Sequence, residues 1–357
     1  MSKKRNNLIP NEKEKGRNTT RQRIHDDEIE VINQYRRIHN EAIDNGLNPN
    51  DVKHGWIKND KSSLFFKNPA FKTEDKNNFK NELISDLKKY SPKFPTIKRV
   101  KSKDGHLLVI DPADIHIGKL AMAMETGEDY NSQIAVQRVI EGVQGILDKA
   151  SGFNIDKIVF IGGNDILHID TPQRKTTSGT PQDTDGMWYS NFLIAKNLYV
   201  DVLQMLMSIA DVHFTFNPSN HDYTNGFFLA DVVKTYFRNS KNIDFDCSIA
   251  HRKYYRYYNN LIGTTHGDGA KSQDLPLLMA NEASADWSKA KHKYVYTHHV
   301  HHKTSKDFIG VTVESLRSPS GTDSWHSRNG YQHAPKAVEG FIHHPEHGQI
   351  ARLTHIF

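Results

Sequence analysis

The chain has 357 residues, a single cysteine and a formal net charge of +5. That length suffices for one large domain with an appendage, and the lone Cys247 excludes an internal disulfide framework and a cysteine-built zinc site. The charge is uneven, with 24 Lys+Arg against 15 Asp+Glu in residues 1–104 and 23 against 27 in residues 105–357.

A basic front end suggests a polyanionic partner or a solubilising extension. The polar opening "MSKKRNNLIPNEKEKGRN" has no signal-peptide core, and no uninterrupted run of 18 apolar residues occurs. The expectation is therefore a cytoplasmic protein with no membrane association.

Residues 1–24 lack an apolar period and are expected to form a disordered basic tail. "DDEIEVINQYRRIHNEAIDN" (26–45) has Ile29, Ile32, Tyr35 and Ile43 near a helical period, with Gly46 as a stop, and predicts a helix. The next stretch is turn-rich with isolated Trp56, Phe65 and Phe66, and a second helix is expected over 74–90. Residues 25–104 then form a basic, mainly helical module closed by the linker "SPKFPTIKRVKSKDG".

From residue 105 onward the texture changes to short apolar strands that each end in a polar cluster. "HLLVI" runs into "DPADIH", "KIVFI" into "GGNDILHID", "VHFTF" into "NPSNHD", and "YVY" into "THHVHH", while "YYNNLIGTTHGDG" carries His266 near its end. Helical stretches over 132–150 and 191–210 separate the early strands. This alternation predicts an α/β sheet with functional loops at the strand ends. The closing "EGFIHHPEHGQIARLTHIF" reads as a β-hairpin, with His343, His344 and His347 expected on its surface.

The clusters supply hard and borderline ligands. Asp114 and His116 stand two apart in an extended segment and can share an ion, and His299 and His301 repeat that spacing. Asp165 offers a carboxylate able to bridge, Asn220 a carbonyl oxygen and His266 an imidazole. The mixture of O and N donors suits two divalent ions, Mn²⁺ before Fe, Zn²⁺ or Mg²⁺.

The order D-x-H, G-D-x-x-[D/H/N], G-N-H-[D/E], a lone His and G-H-x-H resembles the calcineurin-like metallophosphoesterase superfamily. Here it reads "DIH" (114–116), "NDILH" (164–168), "SNHD" (219–222), "THG" (265–267) and "HHVH" (298–301). The resemblance implies a two-sheet α/β sandwich flanked by helices over residues 105–357. It further implies one ion on Asp114, His116, Asp165 and His301 and a second on Asp165, Asn220, His266 and His299. His221 would be the general acid, oriented by Asp222, and a hydroxide shared by the ions would attack a phosphoester.

Three positions depart from the family pattern, which has Gly where Asn164, Ser219 and His298 stand. No ligand position is lost, and His298 is not expected to be a ligand.

"NDILHID", with His168, is nearest to the DNA-repair exonuclease branch, which makes a nuclease or phosphodiesterase on DNA the leading expectation. Arg174 and Lys175 in "TPQRKTTSGTPQDTDG", and Arg317 and His326 in "LRSPSGTDSWHSRNGY", are candidate substrate contacts. The alternatives are a small-substrate phosphatase or cyclic-nucleotide phosphodiesterase, and a DNA-binding adaptor whose fold is non-catalytic.

Overall fold

The computed structural model describes residues 104–357 without interruption, together with 92–100, 52–59, 62–67, position 85 and parts of 33–48. The chain divides into two compact units, Met1–Ser91 and Pro92–Phe357. The expected tail 1–24 lies outside the described residues, as does the helix expected over 74–90 except for Ser85.

In the first unit, residues 39–44 are helical and buried Ala42 faces inward. The helix stops at Gly46, whose φ of 71° permits the hydrogen bond from its N–H to the Ile43 carbonyl. The turn-rich stretch that followed is not irregular. It holds an antiparallel hairpin of β1 (His54–Asn59) and β2 (Ser62–Lys67), in which Trp56 stands opposite Phe65. Their rings lie 5.3 Å apart and both remain exposed, so the expectation of a mainly helical module is corrected for these residues.

The expected linker also behaves differently from a connector. Phe94 packs against Tyr236 and Phe237, Ile97 exchanges two hydrogen bonds with the Asn242 side chain, and Arg99 binds Asp211 and the Met207 carbonyl. These contacts place residues 92–100 with the second unit.

The second unit is a two-sheet sandwich. The six-stranded sheet contains β3 (His106–Asp111), β4 (Ile155–Gly163), β5 (Asp211–Asn217), β6 (Ile243–Asp246), β12 (Ala337–His344) and β13 (Gly348–Ile356) in the order β13-β12-β3-β4-β5-β6. β3 to β6 run parallel, and β12 and β13 are antiparallel additions at one side. The five-stranded sheet has the order β10-β11-β9-β8-β7, from β7 (Arg252–Tyr257), β8 (Asn260–Thr265), β9 (His292–Thr297), β10 (Thr304–Phe308) and β11 (Val311–Ser315).

Strand alternation explains the layering. Leu108, Ile110, Ile158 and Phe160 point to the helices α2 (Ser132–Ala150), α3 (Trp188–Ile209) and α4 (Tyr223–Tyr236), which follow the short α1 (Ala123–Thr126). Leu107, Val109, Val159 and Ile161 point the other way and pack on Tyr257, Ile262, Tyr296 and Phe341 between the sheets. Two short helices, α5 (Leu275–Glu282) and α6 (Ser284–Trp287), cover the outer face of the second sheet through Leu275, Met279 and Trp287.

α3 is long and apolar enough by composition to cross a membrane, with a mean hydropathy of 1.4. Its Ala195, Leu198, Val202 and Leu206 are nevertheless spent on the core.

The hairpin expected at the C-terminus exists, but β12 is flanked by both β3 and β13. His343 is consequently fully buried between the sheets, 3.0 Å from the Tyr296 hydroxyl, which corrects its expected place on a hairpin surface. His344 is half-buried and stacks on exposed His347.

Candidate metal centre

The parallel strands β3, β4 and β5 end side by side, and the chain leaves each end through a loop rich in acids, histidines and amides. Beyond the strands the first two loops continue to pair. Asp114 donates its N–H to the Asn164 carbonyl, His116 to Asp165 and Ile117 to Ile166, at 2.8–2.9 Å. Among the described residues, eight non-glycine positions have positive φ, and six of them are Asp114, His116, Asn164, Asp165, His299 and His301. Each such backbone costs on the order of 1–3 kcal/mol and persists only where its surroundings over-determine it.

Those surroundings are visible. Ser318 Oγ donates to the Asp114 carbonyl, and Tyr130 donates its phenolic proton to the Ile115 carbonyl. Gly163, with φ of 77°, turns β4 into the Asp165 loop where a Cβ would lie 2.1 Å from the Asn217 carbonyl. Asn164, where the family has Gly, adopts a φ of 51°, an angle that Asn tolerates better than most residues.

The other two departures from glycine also have identifiable work. Ser219 accepts the Asp165 N–H and donates to Asp222. Buried His298 spans the Thr265 carbonyl at 3.1 Å and Asp111 Oδ2 at 2.8 Å.

All seven expected ligands converge. Asp114, His116 and His301 form one group of donor atoms and Asp165, His266 and His299 a second, each within 4.8 Å. Asp165 lies between them, with Oδ2 3.2 Å from His266 Nε2 and 4.0 Å from His116 Nε2. Asn220 joins the second group, its Oδ1 2.8 Å from His266 Nε2.

The first group is enclosed, whereas His299 in the second is solvent-exposed. A third group, His116, His168 and His221, adjoins the first through His116.

The electrostatics fit a cation site. Burial, reinforced by nearby Lys119, holds His116 and His301 well below the usual imidazole range, so their nitrogen lone pairs are free. His116 Nε2 faces His301 Nε2 at 3.3 Å, with Asp114 Oδ1 3.6 Å from the latter. Burial raises Asp114 to about 7, in spite of His266 and His298, which marks a carboxylate short of positive charge.

Burial works against charge on Asp165 and His266 too, yet their mutual attraction carries Asp165 below the carboxylate range and His266 up to about 9. His266 Nδ1 is buried without a hydrogen-bond partner. Buried carboxylates, unprotonated imidazoles and an orphaned ring nitrogen make a donor set suited to divalent cations.

His221 stands beside this set, its ring 4.6 Å from that of His116. Its Nδ1 donates to the His168 carbonyl at 2.9 Å, and its backbone N–H donates to Asp165 Oδ1. The expected orienting role of Asp222 is therefore corrected. Asp222 accepts from Ser219 Oγ and the Leu167 N–H, and braces two loops behind the site.

His168 is likewise buried behind His116, Nδ1 to Nδ1 at 3.2 Å, which replaces the expected substrate contact with a supporting one. Arg317 is engaged by Glu339 in a network with Arg352 rather than facing the ligand groups. Arg174 and Lys175 are exposed on the 171–186 loop, whose Thr177 N–H reaches the Asn220 carbonyl. His326 alone among the four expected substrate contacts from the two loops lies against an expected ligand, stacking on His301 at 5.0 Å and 12°.

Several supporting residues escape sequence reading. Asp111 pairs with His298 across 187 positions. Asp170 accepts from the N–H groups of Thr224 and Asn225 at the start of α4. Lys119 is fully buried, its Nζ within 3.0 Å of Ser320, Gly321 and Asp323. Its place at the end of β3 could signal Asp111, and nothing local signals Asp170 or Lys119.

No family model matches the chain, and no curated protein matches it. Among solved structures, an archaeal phosphodiesterase aligns with 70% of this chain and 99% of its own at 9% identity and a TM-score of 0.33. A single mutant of Vps29 from Entamoeba histolytica aligns over 70% and 99% at 13% identity and 0.32. A conserved uncharacterized protein of Streptococcus pneumoniae, described as a predicted phosphoesterase, aligns over 72% and 99% at 12% and 0.27.

Likenesses at this level carry no weight for activity. The two-sheet sandwich with flanking helices, and the convergence of motif residues at its strand ends, rest on the chain's own topology.

Proposed function

We propose that the protein is a metal-dependent phosphodiesterase of the calcineurin-like type, acting on DNA in a cytoplasmic setting, with Mn²⁺ as the first metal to test. The observation that carries this reading is the pair of donor groups at the strand ends with Asp165 between them. A pair of divalent ions held there would polarise a phosphoryl oxygen and make water acidic enough to attack near neutral pH.

The chain's own residues do the rest. Asp114, His116 and His301 would hold one ion, and His266, His299 and Asn220 the other, with Asp165 common to both. His221, fixed through Nδ1 on the His168 carbonyl, keeps Nε2 for the leaving oxygen and can deliver a proton to it. The strained loops fix these groups before substrate arrives, so little reorganisation is needed at the moment of reaction.

DNA as the substrate draws support from the net +9 of residues 1–104, an attraction to phosphates that salt would weaken. The exposed Trp56–Phe65 pair adds a surface on which bases can stack.

The test is hydrolysis of single-stranded DNA, duplex DNA and a small chromogenic phosphodiester by protein loaded with Mn²⁺, Mg²⁺ or Zn²⁺. Cleavage of DNA is expected, and His221→Ala should retain metal while losing about 10²-fold in kcat. Hydrolysis of the small ester alone would replace DNA with a small substrate, and binding of DNA without hydrolysis of anything would make the protein an adaptor.

A further inference from the structure

The segment 316–336 reaches the metal centre through His326, which stacks on His301, and carries a file of rings that the hydrolytic reading leaves unused. From the ligand His301 the file passes to His326 at 5.0 Å, to Trp325 at 5.1 Å and to Tyr331 at 5.9 Å between centroids. Its inner end is fixed and its outer end is open, since Trp325 and Tyr331 are 62% and 61% exposed. Single exposed aromatics are ordinary on protein surfaces. A neighbouring pair continuous with a metal ligand is a different matter.

The file is held by a buried charge arrangement. Asp323 Oδ1 is 2.7 Å from His326 Nδ1, and the same oxygen accepts the His326 N–H at 2.9 Å. Asp323 Oδ2 is 3.0 Å from Lys119 Nζ, and that ammonium also donates to Ser320 Oγ and the Gly321 carbonyl. Burying a lysine costs several kcal/mol unless it is fully partnered, so these partners fix the segment to the loop that follows His116.

Tyr331 is returned towards Trp325 by its N–H bond to the His326 carbonyl, through Gly330 at φ 79°. His326 Nε2 makes no hydrogen bond among the described residues. A solvent-facing aromatic pair beside a polar ring atom is suited to a ligand that is flat and apolar on its faces and polar along its backbone.

We infer that Trp325 and Tyr331 form a stacking platform for unpaired bases flanking the scissile phosphodiester, and that the substrate is single-stranded nucleic acid. This rests on the phosphodiesterase reading of the metal centre for the words "scissile phosphodiester", but the binding itself does not. Base stacking on aromatic side chains tolerates any sequence, because every base has a π-face. His326 Nε2 then meets a polar group of the nucleotide next to the ligand His301, as a positioning contact.

The experiment measures anisotropy of a fluorescein-labelled oligothymidylate on the full chain in EDTA, with an abasic strand and a duplex of equal length as comparators. The single strand should bind more tightly than either. Trp325→Ala and Tyr331→Ala should each weaken it by about 5- to 150-fold, the worth of one stacked base, while Trp325→Phe stays within a few-fold of wild type.

An abasic strand or duplex that binds as well as the oligothymidylate overturns the platform, as does an unchanged affinity in both alanine variants. Melting midpoints identify a variant that merely misfolds, and the phenylalanine variant then decides. Hydrolysis of a small chromogenic phosphodiester by the Mn²⁺-loaded wild type is read separately. Its absence sinks the phosphodiesterase reading and leaves the EDTA binding result standing on its own.

Discussion

Histidines at the carboxyl ends of the strands and histidines between the sheets are equally hidden from solvent, yet they do different things. His116 and His266 are 2% and 1% exposed, and His298 and His343 are 1% and 0%. The first pair stands in loops beside Asp114 and Asp165, and His116 has a strained backbone. His343 sits within strand β12, just after the register shift at Ile342, and faces a tyrosine hydroxyl and a tyrosine ring. His298 is intermediate, a neighbour of a ligand whose own ring turns inward to Asp111. Burial therefore does not set the two kinds apart, and neither does a carboxylate partner, since His298 has one in Asp111. What marks the strand ends is that Asp114 and Asp165 each lie among several imidazoles.

The comparison is broken most severely at the strand ends. Asp165 lies between both donor groups, so Asp165→Asn removes the one anionic group common to them while keeping a side chain that tolerates φ of 59°. Metal per chain, measured by elemental analysis, should fall from two to one or none. Hydrolysis of a small phosphodiester should drop by at least ~10³-fold, since charge stabilisation and the activated water are lost together. Metal content equal to wild type would show that the two groups do not share a cation pair through this residue.

His298 sharpens the boundary between the two kinds of histidine. The sequence gives no reason for it to matter beyond its place next to His299, and an alanine there would be expected to do little. Its bridge between the Thr265 carbonyl and Asp111 changes that expectation, because Asp111 Oδ1 already has no hydrogen-bond partner. Removing the ring leaves a buried carboxylate alone beneath the loop that presents His299 and His301. His298→Ala should weaken metal affinity by about 10- to 100-fold, as loss of a supporting group does, measured by calorimetric titration. Titration curves superimposable on wild type would demote His298 to packing.

What could be read from the chain alone follows the same division. The residues that converge at the strand ends are legible because metal chemistry demands particular residue types at the ends of apolar runs, and strand–helix alternation makes the sheet legible. Pairings over long sequence distance are not, and Lys119 with Asp323 and His298 with Asp111 are examples. The hairpin at 54–67 is hard to read because "HGWIKN" and "SSLFFK" show no clean apolar alternation, and Trp56 and Phe65 are exposed. Adjacency in sequence suggests that Asp222 contacts His221, whereas the turn there sends the two side chains to different partners. A hairpin suggests one wet face for His343, and nothing local reveals that β3 pairs with the other side of β12 and that the second sheet covers this face.

His343 supplies the mildest test, at the interior end of the comparison. Burial, with a small contribution from His292, pushes its imidazole down to about 3; Tyr294 and Tyr296 are the other titratable side chains against it. A histidine that is neutral when folded and ordinary when unfolded lets the unfolded chain bind the extra proton once pH falls below about 6.5. Stability should therefore be full above that pH, decline as pH falls towards 3, and lose about 2 kcal/mol between pH 7 and pH 5 from this residue. His343→Phe removes the titrating group while leaving the Tyr296 hydroxyl its second partner, Gln349. Between pH 7 and pH 5 the wild-type melting temperature should fall by about 4–8 °C more than that of the variant. Equal falls would mean that His343 takes up its proton without unfolding, and that the space between the sheets admits water.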